Sequence, residues 1–161
     1  MKRNFLIAIL VVATSSLGFV QKPHDGMPKK VLKADLVCSI TASLDEAGTQ
    51  PIVNGGHVTN HFEAWFHWTV TNNGPGTAQN FKVKRSIVDG TGNKLYDPAI
   101  DGPLTLGSGE KHVFASHRIA LGPAKVSGDI TVDTEQTVTE KTRNNNHCLL
   151  TFMTLHVPPH P

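Results

Sequence analysis

An all-β fold, a β-sandwich of immunoglobulin type with about seven antiparallel strands, is what this sequence predicts. Three observations predict it. Apolar and polar residues alternate with a period of two in several runs, the spacing at which one face of a strand is buried and the other solvated. Gly, Pro, Asn and Asp punctuate those runs roughly every 8–12 residues, as the turns of a sandwich require. After residue 18 no stretch sustains the apolar period of an amphipathic helix. The last hairpin is the plainest case: an alternating run Lys125–Asp133, a polar turn, and a second run Cys148–Leu155 entered through Asn144, Asn145 and Asn146.

The sandwich does not begin at the N-terminus. Met1, Lys2 and Arg3 make a positive start, Phe5–Ala13 is unbroken apolar sequence, and Thr14, Ser15, Ser16, Leu17 and Gly18 follow. That is the layout of a secretory signal peptide over residues 1–18. Its apolar run is shorter than the about 20 helical residues that cross a bilayer, which argues against a permanent anchor. Ser16 and Gly18 are small enough for the peptidase pockets, so cleavage is expected after Gly18, and no cysteine lies nearby to suggest a lipoprotein. Residues 19–33 read as a polar linker, broken by Pro23 and Pro28 and solvated by Lys22, Lys29, Lys30 and Lys33. The sandwich domain is expected over residues 34–156, with a stiff Pro-rich tail at 157–161.

Each element has its own warrant. Ala34–Leu44 places Leu36, Cys38, Ile40, Ala42 and Leu44 on one face. Asp45–Asn60 is turn-rich, with room for a short extended piece at Ile52–Val53. His61–Asn72 is a strong strand with Phe62, Ala64, Phe66, Trp68 and Val70 inward. Trp65 falls on the polar face and is the aromatic expected to be exposed. Asn72–Thr77 is a turn, because Asn-Gly accepts positive φ and Pro75 ends a ladder. Phe81, Val83, Arg85 and Ile87 then alternate up to Asp89-Gly90. An arginine at an inward position predicts a bulge near Lys84–Arg85 that turns it outward. Lys94–Tyr96 fits a short edge strand, and Asp97–Glu110, rich in Gly and Pro, reads as mostly loop. Lys111–Ala120, Lys125–Asp133 and His147–Leu155 complete the strands.

Lys2 and Arg3 are the charged residues of the signal segment, so removing it lowers Lys plus Arg from 15 to 13, against 13 Asp plus Glu. A net charge near zero gives no electrostatic footprint for nucleic acid or an anionic membrane, and neither is an expected partner. Cys38 and Cys148 share inward parity with their apolar neighbours. In an exported chain such a pair reads first as a disulfide, with two buried free thiols as the alternative.

The chain contains nine histidines, which raises metal binding. His61 and Glu63 could share an ion, but His67 lies about 20 Å along the strand from His61 and cannot complete the site. His112 and His117 have opposite parity. Asp133, Glu135, Glu140 and Asn144 form an oxygen-rich turn of a kind calcium uses, although the spacing matches no EF-hand loop. No metal or cofactor is therefore assigned. Ser39, Ser86, Ser108, Ser116 and Ser127 occupy no Gly-x-Ser-x-Gly turn, so no catalytic residue is assigned either. Asn72, Asn144, Asn145 and Asn146 stand at strand exits and entries, where an amide side chain satisfies loop backbone groups, and a turn-anchoring role is expected. Trp65 is the candidate for stacking on a sugar ring or a partner's apolar side chain.

Three pieces in order resemble the CARDB (cell adhesion related) domain found in bacteria. They are WTVTNNGPGTAQNF (Trp68–Phe81), LGSGEKHVF (Leu106–Phe114) and the hairpin Ile130–Phe152 with its acidic turn and triple Asn. Family members typically carry a valine-rich strand ending in Asn-x-Gly-x-Ala, a Leu-x-x-Gly-Glu step and a Val-Asp…Glu…Asn-Asn hairpin. The resemblance spans Ala34–Phe152; the Cys pair, the histidines and a longer Tyr96–Leu106 stretch depart from the pattern. It implies a seven-stranded immunoglobulin- or fibronectin-like sandwich, found in exported surface and adhesion proteins, with no catalytic residues. The function expected is a secreted or periplasmic binding module that engages a protein or surface glycan through a sheet edge or end loops. A periplasmic metal-binding or carrier protein is the alternative.

Overall fold

The structure, a computed structural model, describes residues 30–98 and 100–158. The expected signal peptide, most of the expected 19–33 linker and the end of the expected 157–161 tail lie outside those residues. Among the described residues no helix is long and apolar enough to cross a membrane.

Eleven strands are present among the described residues: β1 (Leu36–Ser43), β2 (Pro51–Ile52), β3 (His57–Thr59), β4 (Glu63–Asn72), β5 (Ala78–Asp89), β6 (Lys94–Tyr96), β7 (Asp101–Leu106), β8 (Lys111–Val113), β9 (His117–Ala120), β10 (Lys125–Val132) and β11 (His147–Leu155). They form two sheets. The first runs β2-β1-β4-β8, with β9 also on β4; the second runs β3-β11-β10-β5-β6, with β7 also on β5. Pairing is antiparallel except between β3 and β11. The count exceeds the expected seven because β2, β3 and β7 are additional edge pieces and the expected Lys111–Ala120 strand is two short ones, β8 and β9. A period of two cannot show itself over two to four residues.

The long strands carry the core. Ala64, Phe66, Trp68 and Val70 of β4 face Val126, Ile130 and Val132 of β10, Phe81, Val83 and Ile87 of β5, and Leu150 and Phe152 of β11. Gly128 of β10 lets the two sheets close, since a Cβ there would collide with the Phe66 ring and Ile40 Cδ1 of the facing sheet.

Four expectations are corrected. Asp97–Glu110 is not mostly loop: β7 pairs with β5 through Ala78↔Leu106, Phe81↔Leu104 and Val83↔Asp101, with register shifts between them. Pro103 is tolerated because β7 is an edge with a neighbour on one side only. Lys111–Ala120 is two strands, β8 and β9, which share the same edge of β4. Phe62 lies outside β4 and is 64% exposed, its ring against His156 at 4.6 Å. Finally, no bulge turns Arg85 outward, because the β5–β10 register runs unbroken from Val126↔Asp89 to Val132↔Val83. Arg85 stays inward and is 7% exposed.

Candidate binding surface

A two-layer sandwich has two open sides, where the edges of its sheets face each other. Here the two sides differ. On one, β6 and β7 of the second sheet meet β8 and β9 of the first, and side chains seal the gap. The Arg85 guanidinium carbon sits 4.4 Å from the centre of the Phe114 ring, 5.0 Å from Trp68 and 5.7 Å from Tyr96. Its Nε donates to Asp101 Oδ2 at 2.9 Å. Tyr96 stacks on Trp68 at 5.5 Å, and the His117 ring lies 3.9 Å from Tyr96. A desolvated cation over aromatic faces gains about 2 kcal/mol, which offsets part of the cost of burying Arg85. Burial, and next the Arg85 charge, push the His117 pKa below the ordinary imidazole range.

The opposite side stays open. There β2 pairs only with β1 and β3 only with β11, edges with one neighbour each like those of the sealed side but with no ring stack between them. Between them lies a groove of about 340 Å³, lined by Leu44, Ile52, Val53, His57, Val58 and His61 among others. Met153 N–H donates to Gly56 O, and Asn60 N–H to Leu155 O. In a parallel ladder alternate residues face alternate sides, so the backbone amides of His57 and Thr59 face the free edge. Val53, at the rim, is 72% exposed.

The residues singled out in the sequence fall elsewhere. Cys38 and Cys148 are joined, with Cα atoms 5.9 Å apart, and the bond ties β1 of one sheet to β11 of the other. Asn72 is wholly buried. Its Oδ1 accepts from the Asp35 and Gly74 N–H groups at 3.1 and 3.0 Å, and its Nδ2 donates to the Gly76, Leu106 and Gly107 carbonyls at 2.7, 3.0 and 3.1 Å. One amide thereby joins three segments. Asn145 Nδ2 donates to Asp35 Oδ1 at 3.0 Å, and Asn146 Nδ2 to Glu140 Oε1 at 2.7 Å. Asn144 is exposed and engages Thr142 Oγ1 through its backbone N–H at 3.4 Å.

Trp65 is half-buried rather than exposed, because the β9 residue opposite it, Arg118, places its guanidinium 5.9 Å from the ring centre. Phe62 is the exposed aromatic instead. The acids of the oxygen-rich turn are engaged by the chain itself. Asp133 holds a φ of 51° and accepts from Thr137 N–H and Oγ1, Val138 N–H and Arg143 Nη1. Glu140 accepts from Leu36 N–H at 2.9 Å and from Asn146, while Glu135 pairs with Lys82 at 2.7 Å. Among the described residues no three His, Cys, Asp or Glu side chains converge as a metal site.

Sequence reasoning missed one polar pair. Ser43 Oγ lies 2.9 Å from His67 Nε2 and donates to the Asp45 carbonyl at 2.5 Å. With its proton on that carbonyl, the hydroxyl accepts from His67, the reverse of nucleophile activation. The pair therefore braces the β1–β2 turn.

No family model matches the chain, and no curated protein matches it. Among solved structures it is similar to the CARDB domain of a Pyrococcus furiosus protein, solved by crystallography in complex with di-metal ions. Identity is 22% and TM-score 0.54, over 76% of this chain and 90% of that one. A solution structure of the same domain aligns at 21% identity and TM-score 0.53, over 78% of this chain and 98% of that one. Identity at this level speaks for the fold alone, and the three sequence pieces noted above agree with it. This chain has the fold of the CARDB domain.

Proposed function

We propose that the chain is an exported, non-catalytic recognition module of the cell envelope that binds an extended segment of a partner protein along its β2–β3 side. The carrying observation is the asymmetry of the sandwich: aromatic rings around Arg85 seal one side, and a groove of mixed apolar and polar lining lies beside the β2 and β3 edges on the other. An added strand gains affinity from backbone hydrogen bonds at β3, and its alternate side chains supply specificity by entering the groove. The cross-sheet disulfide suits an oxidising compartment, and the CARDB fold suits an adhesion-related role. The test is a ¹H–¹⁵N NMR titration with a library of extended apolar-alternating peptides. Saturable shifts should centre on the amides of Ile52, His57 and Thr59, and Val53→Asp should weaken them at least tenfold. Shifts confined to other surfaces, or robust hydrolase turnover by the pure protein, would overturn the reading.

One observation favours a second reading, a periplasmic metal-binding or carrier protein: the similar Pyrococcus furiosus domain was solved with di-metal ions. For this chain the acidic turn would have to give up the hydrogen bonds that now engage Asp133 and Glu140. Calorimetry with Zn²⁺, Cu²⁺ and Ca²⁺ separates the readings, since stoichiometric submicromolar binding supports the carrier and silence removes it.

A further inference from the structure

We infer that the segment taken up at the β3 edge is one in which apolar residues alternate with acidic ones, its carboxylates lying over the outer face of the second sheet. The inference rests on the edge-strand reading and names the partner chemistry of that same site. Side chains across from each other on neighbouring strands point to the same face of a sheet. Val58 of β3 points inward and is 6% exposed, while His57 and Thr59 on either side of it are exposed. A residue of an added strand across from Val58 therefore enters the groove, where Leu44, Ile52 and Val58 supply an apolar wall. The residues before and after it go to the outer face, beside His57 and Thr59.

That outer face favours a carboxylate. The register places Lys125 of β10, Met153 of β11 and His57 of β3 in one row. With Gly55, Thr151 and Phe152 they line a depression of about 160 Å³. The rows on either side, Ser127 with Thr151 and Thr59 with Leu155, carry no charge. Among the described residues neither Lys125 nor His57 has an acidic partner. Asp89, which pairs with Val126 next to Lys125, directs its carboxylate to Thr91 and Asn93 instead. An ammonium group and an imidazole N–H therefore stand unanswered on strands two spacings apart, about 10 Å. A carboxylate set across from His57 lies one strand spacing from its ring. With the Lys125 stem laid along Met153, the ammonium comes within about a Debye length of the same carboxylate. Exposed charge pairs are individually weak, so the selection shows as a ratio between ligands rather than as tight binding.

The test uses short end-capped peptides in which valine alternates with glutamate, with lysine or with threonine, each titrated into the protein and followed by ¹H–¹⁵N NMR. At low salt the glutamate peptide should bind about tenfold tighter than the lysine peptide, with the threonine peptide between them. The shifts should include the amides of His57, Thr59 and Lys125. In Lys125→Glu, a change at an exposed position that should leave distant resonances in place, that ratio should fall about fivefold, and in Lys125→Gln by less. Salt at about 0.5 M should draw the wild-type ratio toward one. Equal affinity for the three peptides, or a ratio that Lys125→Glu leaves untouched, would overturn the inference, while binding of the threonine peptide would still leave the edge-strand reading standing. Failure of all three to bind would overturn both.

Discussion

Arg85 and Trp68 belong to opposite sheets, and the guanidinium carbon of one lies 5.0 Å from the centre of the other's indole. This contact turns a polar residue at a core position into a clamp between layers. Phe114 and Tyr96 complete the stack, and Asp101 of β7 supplies the counter-charge. The clamp is not fully satisfied, since Arg85 Nη1 and Trp68 Nε1 are buried without partners. A clamp of this kind closes one side of the sandwich.

Two substitutions at Arg85 should therefore behave differently. Arg85→Ala removes the stack, opens a cavity and strands Asp101, and is expected to lower the unfolding free energy by about 3 kcal/mol. Arg85→Met keeps most of the volume and removes the unpaired donor, so its cost should stay below about 1 kcal/mol. Urea denaturation read by linear extrapolation distinguishes them. Equal losses would mean that the charge, rather than the packing, holds this side shut.

The disulfide closes a separation of 110 residues, for which the chain-entropy model gives on the order of 4–5 kcal/mol, usually an overestimate. The Cys38→Ala, Cys148→Ala double variant should lose about 2–5 kcal/mol in urea. Non-reducing peptide mass spectrometry should find the two cysteine peptides linked. Free thiols in material from an oxidising compartment would contradict the bond.

The legible part of this fold was whatever repeats along a strand. The alternation in β4 and β10, and the inward parity of both cysteines, were open to reading because burial there follows a period of two. β7 hid behind Gly102 and Pro103, which on an edge do not break pairing. Arg85 misled because charge argues for exposure, and the rings that accommodate it come from positions 68, 96 and 114, far apart in sequence. The groove was equally hidden, since β2 and β3 are too short to show a period and their free edges are a property of topology. Ser43 and His67 meet across β1 and β4, a pairing that only the register reveals.

Asn72 and Asn144 make a controlled comparison among the turn asparagines. Asn72→Ala leaves two N–H groups and three carbonyls without their side-chain partner in a buried site. A loss of about 3 kcal/mol or more is expected, because each unpaired buried group carries its desolvation cost. Asn144→Ala, on an exposed residue, should stay within about 0.5 kcal/mol of the wild type. Thermal and urea unfolding of the two variants side by side checks the contrast.

Stability should also fall with acid through His117. Burial and the Arg85 charge lower its folded pKa below the unfolded value of 6.5. Between the two values the unfolded chain binds the proton and the folded one does not. The contribution is therefore fully present above about pH 6.5 and is lost as pH drops through that value toward the folded pKa. In His117→Gln the slope of unfolding free energy between pH 7 and 5 should be shallower than in the wild type. Trp68, two stacked rings away through Tyr96, gives a fluorescence signal for the same transition. A variant whose acid sensitivity matches the wild type would place the titrating group elsewhere.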